Sequence, residues 1–238
     1  SPSIMQLLPI MKHPTFELTV PSTGMKLKYR PFLVKEEKIL LLAQGSNQTK
    51  DLIQAVKQIV NNCIIEGEVD VDNVPTFDLE YIFLKLRANS VSDIAKFHLT
   101  EETGEQSKVE LDLNQVEVQY TEGHSNMIDL GDNIHLEMKY PTYSTLGKIK
   151  SEDAVEVTFA MIEMCIDKVI QGENVMELKD FSKAEVKEFL DSLTSQNFRD
   201  IQKFFDELPK LQHTIEYKVG KEKKTRTFTG LADFFQSA

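Results

Sequence analysis

The chain has 238 residues, with 27 Lys+Arg against 38 Asp+Glu, a formal net charge of −11 and no tryptophan. Its 41% hydrophobic and 27% charged residues exclude disorder as the main state, and a chain of this length buries enough apolar surface to fold without disulfides or a metal. The charge is uneven, with residues 1–50 net +4, 51–150 net −10 and 151–238 net −5; an acidic middle repels phosphate backbones, so nucleic acid is not an expected partner.

Near the N-terminus Phe16, Leu18 and Val20 alternate with polar residues, and after Pro21-Ser22-Thr23-Gly24 the alternation resumes through Leu27 and Tyr29. Period-2 patterning around a turn cluster predicts a β-hairpin. Val34 to Gln44 is rich in helix formers and stops at Gly45. Leu52, Val56, Ile59, Val60, Cys63 and Ile64 then recur at helical spacing. Glu66 to Asn73 is acidic, but a calcium loop would want Asp or Asn where Val74 stands and Gly where Pro75 stands, so a solvated loop is expected. Leu79, Ile82, Phe83 and Leu86, with Tyr81 and Leu84 on the other side, predict a helix apolar nearly all round.

From Ala95 to Tyr140, short alternating runs separated by turns such as Thr103-Gly104 and Gly131-Asp132 predict a central antiparallel sheet. Ala154 to Ile170 reads as one apolar helix. Ser182 and Glu185 form a Ser-x-x-Glu capping box for another. A further helix carries Phe198, Ile201, Phe204, Phe205 and Leu208, with Pro209 just beyond it. The tail closes with a hairpin, Leu211 to Val219 returning through Thr225 to Thr229. No internal repeat is visible. The predicted class is segregated α+β: an N-terminal β-hairpin plus helices, a central antiparallel sheet, and C-terminal helices closing with a β-hairpin. Three lobes packed as one unit are expected, over 1–90, 91–145 and 146–238.

Catalytic signals are missing. Cys63 and Cys165 sit in apolar helical runs and read as buried core thiols, which suits a reducing compartment. No run approaches the ~18 apolar residues of a membrane span, and Ser1 to Met5 lacks the pattern of a secretory leader; a cytosolic protein is expected. His13, His98, His124, His135 and His213 lie at no metal-ligand spacing and read as surface or rim residues. Phosphate-cradling glycine loops and a Gly-x-Ser-x-Gly elbow do not occur. No catalytic, cofactor-binding or metal residue is therefore assigned, and no cofactor. Lys218, Lys221, Lys223, Lys224 and Arg226 cluster at the last hairpin tip, either as charges that keep the edge from aggregating or as a dock for an acidic partner. In the pairs Phe204-Phe205 and Phe234-Phe235, one ring can fill its own core while the other reaches a neighbouring element or a second chain.

Three runs carry a family resemblance: Leu8-Pro9-Ile10-Met11-Lys12-His13-Pro14-Thr15-Phe16 with Pro21-Ser22-Thr23-Gly24; Tyr29-Arg30-Pro31-Phe32-Leu33-Val34-Lys35-Glu36-Glu37-Lys38-Ile39-Leu40-Leu41-Leu42-Ala43; and Leu208-Pro209-Lys210-Leu211, His213 and Gly230-Leu231-Ala232-Asp233-Phe234-Phe235. In these the chain resembles the T-even-like bacteriophage baseplate hub and hub-assembly protein family. The resemblance implies a noncatalytic tail protein acting with baseplate hub proteins, made in the host cytoplasm. It does not separate a chaperone-like assembly factor from a permanent virion component, and association with further copies of the chain stays open. An enzyme acting on cell wall or nucleotide would need converging acids, which the sequence does not offer. Candidate partner-binding or family-marked residues are Arg30, Phe32, Glu36, Glu37, Lys221, Lys223, Lys224, Phe234 and Phe235. Arg30, Glu36 and Glu37 either form an ion-pair corner between strand and helix or stand as separate solvated charges.

Overall fold

The computed structural model describes residues 6–236. After a segment without regular secondary structure, β1 (Phe16–Thr19) and β2 (Lys26–Tyr29) form the expected hairpin. Helix α1 (Val34–Ser46) runs past Gly45 and ends at Asn47, which takes the left-handed conformation at φ 56°. Asn tolerates that region better than other side-chain-bearing residues. Helix α2 (Thr49–Cys63) leads directly into β3 (Ile64–Glu66), which adds to the other edge of β2. Helix α3 (Thr76–Ser90) is buried around most of its circumference, as its all-round apolar pattern predicts.

The class is α+β, and the sheets among the described residues are antiparallel. The strands between Ala95 and Tyr140, however, do not form one central sheet. Strands β4 (Ile94–Thr100) and β5 (Gln106–Asp112) make a two-stranded sheet. Strand β6 (Glu117–Gln119) joins the C-terminal hairpin, and β7 (Met127–Gly131) and β8 (Ile134–Met138) pair onward with β9 (Ile166–Gln171) and β10 (Asn174–Met176). Alternation specifies which face of a strand is buried; it does not specify which edge the strand meets.

A second difference lies in the run Ala154 to Ile170. The helix, α5 (Ala154–Cys165), stops at Cys165, and β9 begins at once. Ile166 and Val169 are buried in a sheet, where β-branched residues pack as well as in a helix. The short α4 (Tyr143–Lys148) precedes it. Helix α6 (Lys183–Asp191) starts at the predicted capping box, with Ser182 Oγ accepting from Glu185 N at 3.1 Å and Glu185 Oε1 accepting from Ser182 N at 3.2 Å. Helix α7 (Ser195–Asp206), the hairpin of β11 (Lys210–Val219) and β12 (Glu222–Thr229), and α8 (Gly230–Phe235) complete the chain.

The structure also contains a repeat that the sequence conceals. In each half a hairpin (β1–β2, β7–β8) is followed by helices, the last ending in a Cys-Ile pair whose isoleucine begins a strand returning to the hairpin. Tyr29 faces Ile64 and Met138 faces Ile166, each beside an irregularity one residue earlier, at Lys28/Tyr29 and Glu137/Met138. The next amide donates to the cysteine carbonyl in both: Arg30 N to Cys63 O at 2.9 Å, Lys139 N to Cys165 O at 2.8 Å. Each half then passes through helix to a second hairpin, β4–β5 or β11–β12, and a helical segment, Leu113–Gln115 or α8.

Two apolar clusters result. The larger combines the first half with β6, β11, β12 and α8; the smaller joins β7, β8 and β9 to α5 and α7. Tyr140 bridges them, edge-on to Phe77 at 5.3 Å and stacked with Phe204 at 6.1 Å. His124 stacks at 5.2 Å on Phe204, so it sits inside this junction and not at a rim.

Candidate partner-binding surface

The second family-marked run is a corner between β2 and α1. Proline cannot donate to a ladder, so Pro31 ends the strand, and Phe32 N is met instead by Ser90 Oγ at 2.7 Å. The Arg30 guanidinium donates to Glu36 Oε1 and, at 3.0 Å, to Pro31 O. The same carboxylate oxygen accepts from Leu33 N at 3.1 Å, so Glu36 closes the first turn of α1 as it pairs with Arg30. Glu36 is fully buried, and its other oxygen has no hydrogen-bond partner. Of the two readings of these charges, the ion-pair corner describes Arg30 and Glu36; Glu37 stays exposed and outside the pair. Cys63 lies against the corner, its thiol 3.9 Å from Glu36 Oε1, and burial pushes that thiol up to about 12. Both cysteines are free and buried, as expected of core thiols.

The structure brings the marked N-terminal run and the marked C-terminus together. Phe32 packs on Phe83 of α3 at 5.6 Å, and Phe83 meets Phe235 edge-on at 4.7 Å. Gln44 Nε2 donates to Phe235 O at 2.6 Å, tying α1 to α8. Phe32, Phe234 and Phe235 are all buried, so none of these rings offers an exposed contact. Their sequence signal reports core, because a six-residue terminal helix is held only by what it packs against.

The lysine tip lies elsewhere. Lys221 and Lys223 are exposed, whereas Lys224 Nζ reaches Glu101 Oε2 at 3.0 Å and holds that carboxyl below its usual range. Lys224 thus braces the last hairpin against the end of β4.

What remains exposed is apolar surface on the marked runs themselves. On α1, Glu36, Leu40 and Ala43 face inward, while Val34, Leu41 and Leu42 stand 82%, 61% and 70% exposed. Val34 and Leu41 fall on one stripe of a 3.6-residue helix with the exposed Lys38 between them, and Leu42 lies beside it. In the N-terminal segment Leu7, Leu8, Ile10 and Met11 are exposed. Neither group was assigned as a site from the sequence. The available signal was the run Leu40-Leu41-Leu42, which carries more apolar surface than one face requires.

Two buried acids hold α3 in place. Asp78 accepts from Ser22 N at 3.0 Å and from Ser22 Oγ, pinning the first hairpin turn; burial raises its carboxyl. Glu80 accepts from Tyr143 Oη at 2.8 Å and from the Leu231 amide, and burial pushes it up to about 7. Among the described residues no cluster of three or more His, Cys, Asp or Glu could hold a metal, and no helix is long and apolar enough to cross a membrane.

The chain thus has a duplicated α+β architecture, with an Arg–Glu corner between β2 and α1 and exposed apolar side chains on the outer side of α1. Over residues 13–236 the sequence matches the family described as T4 bacteriophage base plate protein. The chain belongs to that family and is a baseplate protein of a T4-like phage. Comparison with curated proteins and with solved structures gives no match.

Proposed function

We propose that this baseplate protein is a noncatalytic assembly factor for the central hub, binding hub subunits in the host cytoplasm through the outer face of α1. The observation that carries the reading is the exposure of Val34, Leu41 and Leu42 on a helix whose opposite face is locked into the core. Exposed large apolar side chains clustered on one rigid element mark a partner surface more often than a solvated one. The Arg30–Glu36 corner fixes the N-terminus of α1, so the face is presented with little freedom left to lose on binding.

The test is affinity capture of the tagged chain from infected cells, with Leu41→Glu/Leu42→Glu as the variant. Recovery of hub subunits by the native chain and their loss with the variant, at unchanged thermal stability, supports the proposal; equal recovery by both overturns it. A second reading makes the chain a permanent component of the hub; the family's description as base plate protein supports a place in the baseplate without naming the hub. Mass spectrometry of purified particles separates the two: stoichiometric presence establishes the component, and absence the transient factor.

A further inference from the structure

Each half of the repeat is preceded by a short segment, and the two segments behave differently. In the second half the segment is β6, which pairs with β11, Val118 opposite Leu211 and Glu117 opposite Gln212. In the first half it is an arm without regular secondary structure, residues 6–15, exposed along its apolar residues, with Leu8 at 91% and Ile10 at 93%. The register of the hairpins aligns the two. Ile128 faces Leu136 in β7–β8 as Leu18 faces Leu27 in β1–β2, an offset of 110 positions, so Glu117–Gln119 correspond to Leu7–Pro9.

The receiving strand corresponds as well. Strand β11 opens the second hairpin of its half, as β4 does in the other; Leu211 and Ala95 are each the second residue of their strand and its first buried side chain. Among the described residues β4 pairs only with β5. Its other edge presents backbone donors and acceptors without a strand, the arrangement that recruits one from outside.

We propose that the arm of one copy adds to this edge of β4 in a second copy, with Leu8 opposite Ala95 and Leu7 opposite Lys96. In the single chain the arm lies off its own β4; made between copies, the pairing closes a dimer by reciprocal exchange. Chemistry along the arm fits the edge. Pro9 needs no ladder donor when it lies on an outermost strand. Running on antiparallel, Pro9 faces Ile94, Ile10 faces Asp93 and Lys12 faces the exposed Val91, two residues along from Asp93 at a hairpin end that also carries Asp112. The arm from Gln6 to Thr15 contains no acidic residue.

The proposal is independent of the hub reading and is tested on the purified full chain. Sedimentation velocity over a wide concentration range should show a monomer–dimer equilibrium. Leu8→Lys, at an exposed position that leaves the monomer fold intact, should raise the dissociation constant roughly 10- to 100-fold, the equivalent of one leucine's burial. Mixing differently tagged Leu7→Cys and Lys96→Cys chains under oxidising conditions should give a disulfide-linked pair carrying both tags. A native chain that stays monomeric throughout, a dimer indifferent to Leu8→Lys, or a Leu7→Cys/Lys96→Cys chain that cross-links only within itself would each overturn it.

Discussion

Arg30→Ala removes the counterion of a carboxylate that has nowhere to go. Glu36 is fully buried, and with Arg30 gone its remaining close donor is the Leu33 amide at 3.1 Å. Breaking a buried pair from one side costs about 3–5 kcal/mol, and Arg30 is itself 17% exposed, which points to the lower end, about 3 kcal/mol. Urea unfolding of both proteins at one pH measures it. Arg30→Met/Glu36→Leu, which removes both charges, should recover most of the loss, less about 1 kcal/mol for the missing cap. A deficit for Arg30→Ala under ~1 kcal/mol would mean that the pair behaves as a solvated surface bridge, and the argument from burial would fail.

Glu80→Gln should stabilise the protein near pH 8 by up to about 3 kcal/mol and little near pH 5, because the native carboxyl, pushed up to about 7, loses stability as pH rises from its unfolded value through that point; equal pH dependence of unfolding in both proteins would contradict this. Phe235→Ala should cost about 3–5 kcal/mol by emptying a site against Phe83, whereas Leu41→Ala, at an exposed position, should stay within about 0.5 kcal/mol; thermal unfolding compares them, and similar losses would mean that Leu41 packs inside the protein. Cys63 and Cys165, raised by burial to about 12 and about 11, should resist thiol reagents in the native protein and react only on unfolding; rapid native labelling of either would show an exposed thiol.

The elements were legible where one local signal governed them. The hairpin turn at Pro21 to Gly24, the capping box at Ser182 and Glu185, and the all-round apolar α3 each rest on chemistry within a few residues. Pairing across long separations was not. Nothing in Val116 to Tyr120 says that its strand belongs with Leu211, because the ladder is built from backbone groups that every residue shares. The repeat escaped for a related reason. Corresponding positions hold Tyr29 and Met138, or Arg30 and Lys139, which serve the same register through different side chains, and little beyond the Cys-Ile pair and Leu27 with Leu136 survives as letters.

The candidate site was legible in part, and α1 shows why. A run of uncommon sequence marks a demanding environment without saying whether core or partner makes the demand. On this helix the two demands interleave with the 3.6-residue period: Glu36, Leu40 and Ala43 answer to the interior, Val34, Leu41 and Leu42 to what lies outside. Phe234 and Phe235, adjacent and both aromatic, allowed the same split, one ring inward and one outward, yet both are buried because α8 lies against α2 and α3 with β12 on its flank. A short helix seated among several elements has no outer face to spare for its large side chains, whereas a 13-residue helix covered on one side does. The exposed apolar groups of α1 therefore carry information that the buried phenylalanines do not, and a docking experiment on this protein begins at Leu41 and Leu42.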